Sequence, residues 1–133
     1  MADAYNPISD VMSRGPISVG EKLTLRSLAA VLSELDVGVV LVERPDGSIG
    51  VVSERDIVDA LADGADPEAV WAADVVSDDV VFAAPGDTIL AAAERMAAEG
   101  VRHLPVVDAG NVVGVVSARD VLPLLASHVR ATA

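Results

Sequence analysis

Gly50-Val-Val-Ser-Glu-Arg-Asp56 and Gly114-Val-Val-Ser-Ala-Arg-Asp120 are the same segment written twice, 64 positions apart and identical at six of seven residues. The same offset aligns further identical residues without a gap: Asp10-Val11 with Asp74-Val75, Thr24 with Thr88, and Val42 with Val106. Chance similarity in a Val- and Ala-rich chain would not hold one offset over that length, so the chain contains an internal duplication. We divide it into a first repeat, residues 1–64, and a second repeat, residues 65–133.

Hydrophobic patterning within each repeat predicts the element order β-α-β-β-α. In the first repeat, Ile17 to Val19 forms a short apolar run, and leucines at positions 25, 28, 32 and 35 recur at helical spacing. Two apolar strands then flank the turn signal Pro45-Asp46-Gly47, and a helix opens at Ser53. The second repeat shows the same order in these segments: a strand from Val80 to Ala83, a helix capped by Asp87 or Thr88, strands from Arg102 to Val107 and from Val112 to Val116, and a helix from Ser117. The sequence therefore predicts an α/β (α+β) fold built from two β-α-β-β-α repeats.

A polar connection, Asp63-Gly-Ala-Asp-Pro67, lies between the repeats. Proline is favoured at the first position of a helix, so Pro67 can start a short helix that runs through Trp71. Trp71 can pack in the core or at an interface, and we expect the core.

Length and composition limit the architecture. The chain has 133 residues, 52% of them hydrophobic and almost all of those aliphatic, which excludes a disordered protein. A single repeat of about 60 residues would bury only about 60% of its unfolded surface, a marginal core. We therefore expect the two repeats to pack together.

Charge and cysteine content limit the partners. The net charge of -12 argues against nucleic acid or an anionic membrane as a partner. The absence of cysteine excludes disulfides, thiol catalysis and cysteine-based metal sites. The N-terminal residues lack the basic and apolar regions of a signal peptide, and no apolar run reaches the ~20 residues of a membrane helix. We expect a soluble cytoplasmic protein.

The duplicated Ser-x-Arg-Asp motif stands at the start of a helix, where backbone N–H groups and positive potential favour an anion. Ser53 can contact a phosphate or ribose oxygen, and Arg55 can pair with phosphate. Asp56, three residues after the serine, can accept hydrogen bonds from the two hydroxyls of a ribose. The counterparts in the second repeat are Ser117, Arg119 and Asp120.

The same motif has a second interpretation. A serine at the N-cap with an acidic residue three positions later is close to a capping box, which stabilises a helix with no ligand present. Both interpretations can hold together, and the sequence leaves them open.

A second candidate segment is Val101-Arg-His-Leu-Pro-Val-Val-Asp108. Arg102 and His103 would place positive charge near Arg119, as a phosphate site in an acidic protein requires. The alternative is an exposed charge at a strand edge for Arg102 and a half-buried side chain for His103. The first repeat has Gly38-Val39 instead, so any two sites are expected to be unequal.

Other chemistries lack the necessary residues. The two histidines, His103 and His128, have no second ligand at metal spacing, and Asp78-Asp79 fits a solvated loop better than an acid–base pair. Phosphate-binding loops of the Walker type, Gly-x-Gly-x-x-Gly runs and Gly-x-Ser-x-Gly elbows are absent from the sequence. We therefore expect neither a catalytic residue nor a bound metal.

Two β-α-β-β-α copies that each end in Gly-Val-Val-Ser-x-Arg-Asp, together with Arg-His-Leu-Pro-Val-Val-Asp, resemble CBS domains over about residues 7 to 127. A pair without an attached domain is similar to small bacterial stress- or hypoxia-associated CBS-pair proteins. The resemblance implies that the repeats pair around a pseudo-twofold axis and leave two clefts that bind AMP, ADP, ATP or S-adenosylmethionine. It also implies no required cofactor and a disc-like homodimer formed through the helices.

Carried onto this sequence, the resemblance assigns the ribose to the aspartates and serines of the two motifs. Phosphate falls to Arg55, Arg119, Arg102 and His103. The adenine would lie among apolar residues and backbone near Ile17, Val39, Val80, Phe82, Leu104 and Pro105.

Two functions from different classes remain open. The first is a nucleotide-responsive regulatory module whose ligand shifts the packing of the repeats and is read by an unidentified protein target. The second is a ligand-free interaction or structural protein in which the motifs act only as helix caps. A small enzyme is the least supported, because the chain offers no nucleophile or acid–base pair.

Overall fold

The computed structural model describes residues 3–132, which fold as two compact units. One unit is Ile17–Val80, and the other joins the residues up to Pro16 with those from Val81 onward. In chain order the strands are β1 Ser13–Arg14, β2 Ser18–Gly20, β3 Val39–Glu43, β4 Ile49–Ser53, β5 His103–Asp108 and β6 Asn111–Ser117. The helices are α1 Leu25–Leu35, α2 Glu54–Ala62, α3 Ala72–Val75, α4 Ile89–Glu99 and α5 Ala118–Thr132, and a 3-10 turn covers Ile8–Asp10.

The 17–80 unit contains a three-stranded sheet in the order β2-β3-β4. Strand β2 runs parallel to β3, and β3 pairs antiparallel with β4. Helix α1 buries Leu25, Leu28 and Leu32, whereas Leu35 at its last position is 51% exposed. The predicted leucine stripe therefore supplies three core residues, which pack with the valines of β3 and β4.

The second unit contains an antiparallel sheet in the order β1-β6-β5. Its core joins Ile89 and Met96 of α4 with Leu104 and Val106 of β5 and Val116 of β6. The strand predicted from Val80 to Ala83 is reduced to one parallel bridge, in which the Ala83 amide donates to the Pro105 carbonyl at 2.9 Å. The other predicted elements are confirmed in their predicted order in both repeats, and the structure adds the 3-10 turn, β1 and α3, which were not predicted.

Of the two residues predicted to cap α4, Thr88 is the N-cap, and its hydroxyl accepts from the amide three residues on. Thr24, for which no cap was predicted, has the same role in α1. In the turn between β3 and β4, the side chain of Asp46 accepts from the hydroxyl and the amide of Ser48, at 2.6 and 2.8 Å. These bonds lower the pKa of Asp46 below its usual value.

The compact units do not coincide with the sequence repeats. The start of the first repeat packs with the helix and hairpin of the second: the Leu90 amide donates to the Ala4 carbonyl at 2.8 Å, and Ser13 pairs with Val115. The start of the second repeat packs in the same way with the first, since the Leu25 amide donates to Val70 and Ser77 pairs with Val51. The two opening segments are thus exchanged, while the division at residue 64 remains a prediction about the sequence repeats.

The predictions of a helix starting at Pro67 and of a core position for Trp71 are wrong, whereas an interface position for Trp71 stays a prediction. Residues 67–69 form a turn, and the helix that follows starts at Ala72. Trp71 lies at the N-cap of that helix and is 45% exposed, whereas Ala72 beside it is fully buried. Within residues 3–132, no helix combines the length and the apolar character needed to cross a membrane.

Candidate functional site

In the second-repeat motif, the carboxylate of Asp120 lies at the junction of β6 and α5, and one of its two oxygens is hydrogen-bonded to Ser117. Oδ2 of Asp120 accepts from the Ser117 amide at 2.8 Å and from the Ser117 hydroxyl at 3.0 Å. Oδ1 of Asp120 makes no hydrogen bond within the described part of the chain. One oxygen therefore orients the side chain, and the other can accept from a ligand hydroxyl.

The fold brings the two candidate segments of the second repeat together. The Ala118 amide, the first of α5, donates to the Arg102 carbonyl at 2.8 Å. In the ladder between β5 and β6, His103 lies opposite Ser117. The basic pair and the Ser-x-Arg-Asp motif thus share one end of the sheet, as the sequence required for a phosphate site.

The two arginines at this sheet end are exposed. Arg102 and Arg119 make no ion pair among the described side chains, so both guanidinium groups can meet an anion. His103 is half-buried and has interactions within the protein. In a chain of net charge -12, the two exposed guanidinium groups place positive charge at this end of the sheet.

The predicted adenine-lining residues of this unit lie in different environments. Leu104 is fully buried in the core, so its side chain offers no surface to a ligand. Pro105 is buried in β5 next to the bridge to Ala83. Phe82, immediately before that bridge, is 40% exposed. Of these three residues, Phe82 presents the accessible apolar surface.

The first-repeat motif has the same backbone geometry with different side-chain bonds. The Ser53 amide donates to Asp56 at 2.8 Å, and the Asp56 amide donates back to the Ser53 hydroxyl at 3.2 Å. The Glu54 amide donates to the Gly38 carbonyl at 3.0 Å, and Val39 lies opposite Ser53. The capping interpretation is therefore confirmed here as a full capping box.

Arg55 differs from its counterpart Arg119. Its Nε lies 3.6 Å from Oδ1 of Asp59, one helical turn on. Position 123, which corresponds to Asp59 at the offset of 64, is a proline. Arg55 thus has an acidic neighbour on its own helix that Arg119 lacks. Ile17 and Val80, the remaining predicted residues of the 17–80 unit, are partly buried.

Sequence reasoning missed the role of the motif glycine. A Cβ at Gly114 would lie 2.6 Å from the Ser13 carbonyl oxygen, and one at Gly50 would lie 2.8 Å from the Ser77 carbonyl oxygen. The glycine is needed because the exchanged segment crosses the hairpin there. The sequence feature that could have indicated this role is the glycine found at the same position in both repeats.

Sequence reasoning also missed Arg95, whose Nη1 donates to the Phe82 carbonyl at 2.8 Å. Comparison of the repeats could not reveal it, because the first repeat has Val31 at the corresponding position. Among residues 3–132, no group of three or more acidic or histidine side chains could hold a metal ion.

Known proteins with similar sequences and structures identify the family. The model of the CBS domain matches residues 8–63 and 72–127. Hypoxic response protein 1 of Mycobacterium tuberculosis is 31% identical over 121 residues, which cover 90% of this chain and 85% of that protein. The solved structure of a CBS domain protein from Pyrobaculum aerophilum complexed with AMP is 30% identical with a TM-score of 0.81, and the match covers 93% of this chain and 98% of that one.

Two archaeal relatives are longer than the matched region. An uncharacterized protein of Methanocaldococcus jannaschii is 30% identical over 128 residues, 96% of this chain but 45% of its own length. A similar protein of Methanopyrus kandleri is matched over 60% of its length. Two matched copies of one domain, found at the same positions as the sequence duplication, assign this chain to the CBS domain family as a tandem CBS-pair protein.

Proposed function

We propose that this protein is a non-catalytic regulatory module that binds an adenosine nucleotide, mainly at the second repeat. The observation that carries the proposal is the bond from the Ala118 amide to the Arg102 carbonyl, which joins the basic segment to the Ser-x-Arg-Asp motif. Asp120 would accept from ribose hydroxyls through Oδ1, and Arg102, His103 and Arg119 would neutralise phosphate.

The similar structure from Pyrobaculum aerophilum supports adenosine as the ligand class, because that protein was solved with AMP. AMP is accordingly the first ligand to test, followed by ADP, ATP and S-adenosylmethionine. All of them share the ribose and adenine that the predicted residues would contact.

The first repeat is proposed as the weaker site. Gly38 and Val39 stand where the second repeat has Arg102 and His103, and Asp59 lies beside Arg55. A carboxylate at that distance competes with phosphate for the guanidinium and adds negative charge near it.

One observation favours a second candidate function. The reciprocal Ser53–Asp56 bonds form a complete helix cap, which requires no ligand. A ligand-free interaction protein with an unidentified protein target would show the same bonds.

Self-association is also proposed. Val58 on α2 and Leu122 on α5 occupy corresponding positions and are each 60% exposed. Helices α4 and α5 flank a shallow groove of about 370 Å³, lined mostly by Ala, Met, Val and Leu side chains. Exposed aliphatic surface on these helices suits a homodimer.

Thermal unfolding against AMP, ADP, ATP with and without magnesium, S-adenosylmethionine and NAD tests the proposal. A ligand at 100 times its dissociation constant adds about 2.7 kcal/mol, or about 5–10 °C for a chain of this size. We expect AMP to raise the Tm and Asp120→Asn to abolish that rise. The asparagine oxygen can still accept from Ser117, so the unliganded protein should lose no more than about 1 kcal/mol.

Asp56→Asn is the matched control, since it makes the same change in the first repeat. It should retain most of the AMP-induced rise in Tm. If both variants lost the AMP-induced rise in Tm equally, the assignment of the second repeat as the main site would be contradicted. If none of the ligands raised the Tm at millimolar concentration, the proposal of nucleotide binding would be contradicted. The second candidate function, a ligand-free interaction protein, would then be favoured.

A further inference from the structure

Negative charge is divided unequally between the two compact units. The 17–80 unit contains fourteen acidic and four basic residues, and the rest of the chain contains seven and five. Their formal charges are therefore -10 and -2, which together give the -12 of the chain. Two copies that met through their 17–80 units would bring the larger charges together, and the repulsion between copies would be strongest in that arrangement.

The helix pairs of the two units share a backbone contact and differ in the charge beside it. The Glu54 amide donates to the Gly38 carbonyl at 3.0 Å, and the Ala118 amide donates to the Arg102 carbonyl at 2.8 Å. This common bond shows that the positions correspond in the structure as well as in the sequence. A carboxylate and a glycine in the first repeat thus take the places of an alanine and a guanidinium in the second.

The residues that end α1 and α4 add to this difference. Asp36 and Gly100 are the C-caps of these helices, both in the left-handed conformation, with φ of 52° and 68°. Gly100 and Arg102 line the groove between α4 and α5, and Arg102 is the charged residue of that lining. Asp36, Glu54 and Arg102 are exposed and make no ion pair within residues 3–132.

Each helix pair also exposes an aliphatic side chain close to its charge. Val58 follows Glu54 by one helical turn on α2, so the two side chains share a face. Leu122 lines the same groove as Arg102. Val58 and Leu122 are each 60% exposed. We call Asp36, Glu54 and Val58 the acidic face, and Arg102, Ala118 and Leu122 the basic face.

We propose that a second copy of the chain docks with unlike faces in contact, so that Glu54 of one copy lies beside Arg102 of the other. In a two-fold dimer the contact occurs twice, because two residues that meet across the axis meet again in the reverse sense. Like faces in contact would set Glu54 against Glu54 and Arg102 against Arg102, and like charges opposed across an interface weaken it. The inference rests on the proposed self-association and adds which faces meet.

Charge reversal at Glu54 separates this contact from general charge repulsion. Glu54→Arg makes the net charge less negative, so it should strengthen a dimer that is limited only by repulsion between copies. With unlike faces in contact it sets two cations against each other, and we expect the dissociation constant of the dimer to rise about tenfold. Adding Arg102→Glu restores the original net charge and an opposite-charge pair, so the constant should return to within about threefold of its original value.

Sedimentation equilibrium measures these constants, without nucleotide because Arg102 is also proposed to bind phosphate. Glu68→Arg is the matched control, since Glu68 is 62% exposed on the same unit and its reversal makes the same change in net charge. This control should leave the dissociation constant unchanged or lower it.

Introduced thiols report the orientation directly, because the chain contains no cysteine. Val58→Cys and Leu122→Cys are prepared as separate variants, and a short bismaleimide is added to each alone and to their mixture after subunit exchange. We expect cross-linked dimer in the mixture, with one thiol from each variant in the product, and little in either variant alone.

The outcomes separate this inference from the proposals above it. A dimer that Glu54→Arg leaves unchanged or strengthens would overturn the unlike-face contact and leave self-association standing. Cross-linking of either cysteine variant alone as efficiently as in the mixture would do the same. A monomer at every concentration of the unmodified protein would overturn both. Nucleotide binding is tested independently, by the thermal unfolding of Asp120→Asn with AMP.

Discussion

The glycine that opens each Gly-Val-Val-Ser-x-Arg-Asp segment lies where a second backbone passes at close range. Gly114 faces the Ser13 carbonyl and the Met12 side chain, and Gly50 faces the Ser77 carbonyl and the Val76 side chain. A methyl group at either position would overlap backbone atoms, which cannot move as a flexible side chain does. The motif thus combines a packing requirement at its glycine with polar side chains at its serine, arginine and aspartate.

We expect Gly114→Ala to destabilise the protein by about 1–3 kcal/mol, the usual cost of overpacking a well-packed site. Chemical denaturation measures the change. Gly86→Ala is the matched control, because an added Cβ there meets no atom within 4 Å. A Gly114→Ala variant as stable as the control would contradict the close approach of β1 to β6.

At the scale of elements, the exchanged opening segments supply hydrogen bonds and core residues to the helix and hairpin of the other repeat. Residues 4–9 supply carbonyls to the first amides of α4 and amides to the carbonyls of the turn before it, including the bond from the Ile8 amide to the Asp87 carbonyl at 2.8 Å. Ile8 itself is fully buried with Ile89 and Leu104 in the core of the second unit. The opening segment therefore completes the core that lies beneath the candidate site.

We expect Ile8→Ala to destabilise the protein by about 2–5 kcal/mol, because it leaves a cavity among residues that are remote in sequence. Leu35→Ala serves as the control, since Leu35 is 51% exposed and should cost far less. Thermal or chemical unfolding of both variants provides the comparison. Native-state hydrogen exchange should show the loss of protection in α4 and β5, and an unchanged exchange pattern there would contradict the packing of the segment on this unit.

At the scale of the whole molecule, exposed aliphatic side chains and a strong negative charge have opposite effects on self-association. Val58 and Leu122 favour association, whereas a net charge of -12 makes two copies repel each other. Salt screens charge repulsion far more than it affects apolar contact, so added salt should strengthen self-association.

Light scattering coupled to size-exclusion chromatography tests this expectation. We expect a dimer that the Val58→Glu, Leu122→Glu double variant converts to a monomer. Leu35→Glu, on α1, is the control and should leave the dimer intact. A monomer at every concentration and salt level in the unmodified protein would rule out the proposed homodimer.

The sequence alone determined the duplication, the order of the main elements in each repeat and a cap for α4 at Asp87 or Thr88, of which Thr88 is the N-cap. These features depend on residues within a few positions of one another, so periodicity and local hydrogen bonding decide them. The proximity of Arg102 to Ser117 was also predictable, because a short turn between antiparallel strands brings the ends of a hairpin together.

Only the tertiary structure decided which opening segment covers which hairpin. The two hairpins share a sequence pattern, so each segment could pair with the hairpin of its own repeat or of the other, and the local chemistry is the same in both cases. The exposure of Trp71, the burial of Leu104 and the bond from Arg95 to Phe82 also depend on contacts that no local pattern records. The physical reason is that duplication makes the alternatives nearly equal in local energy, and the packing of the complete chain selects between them.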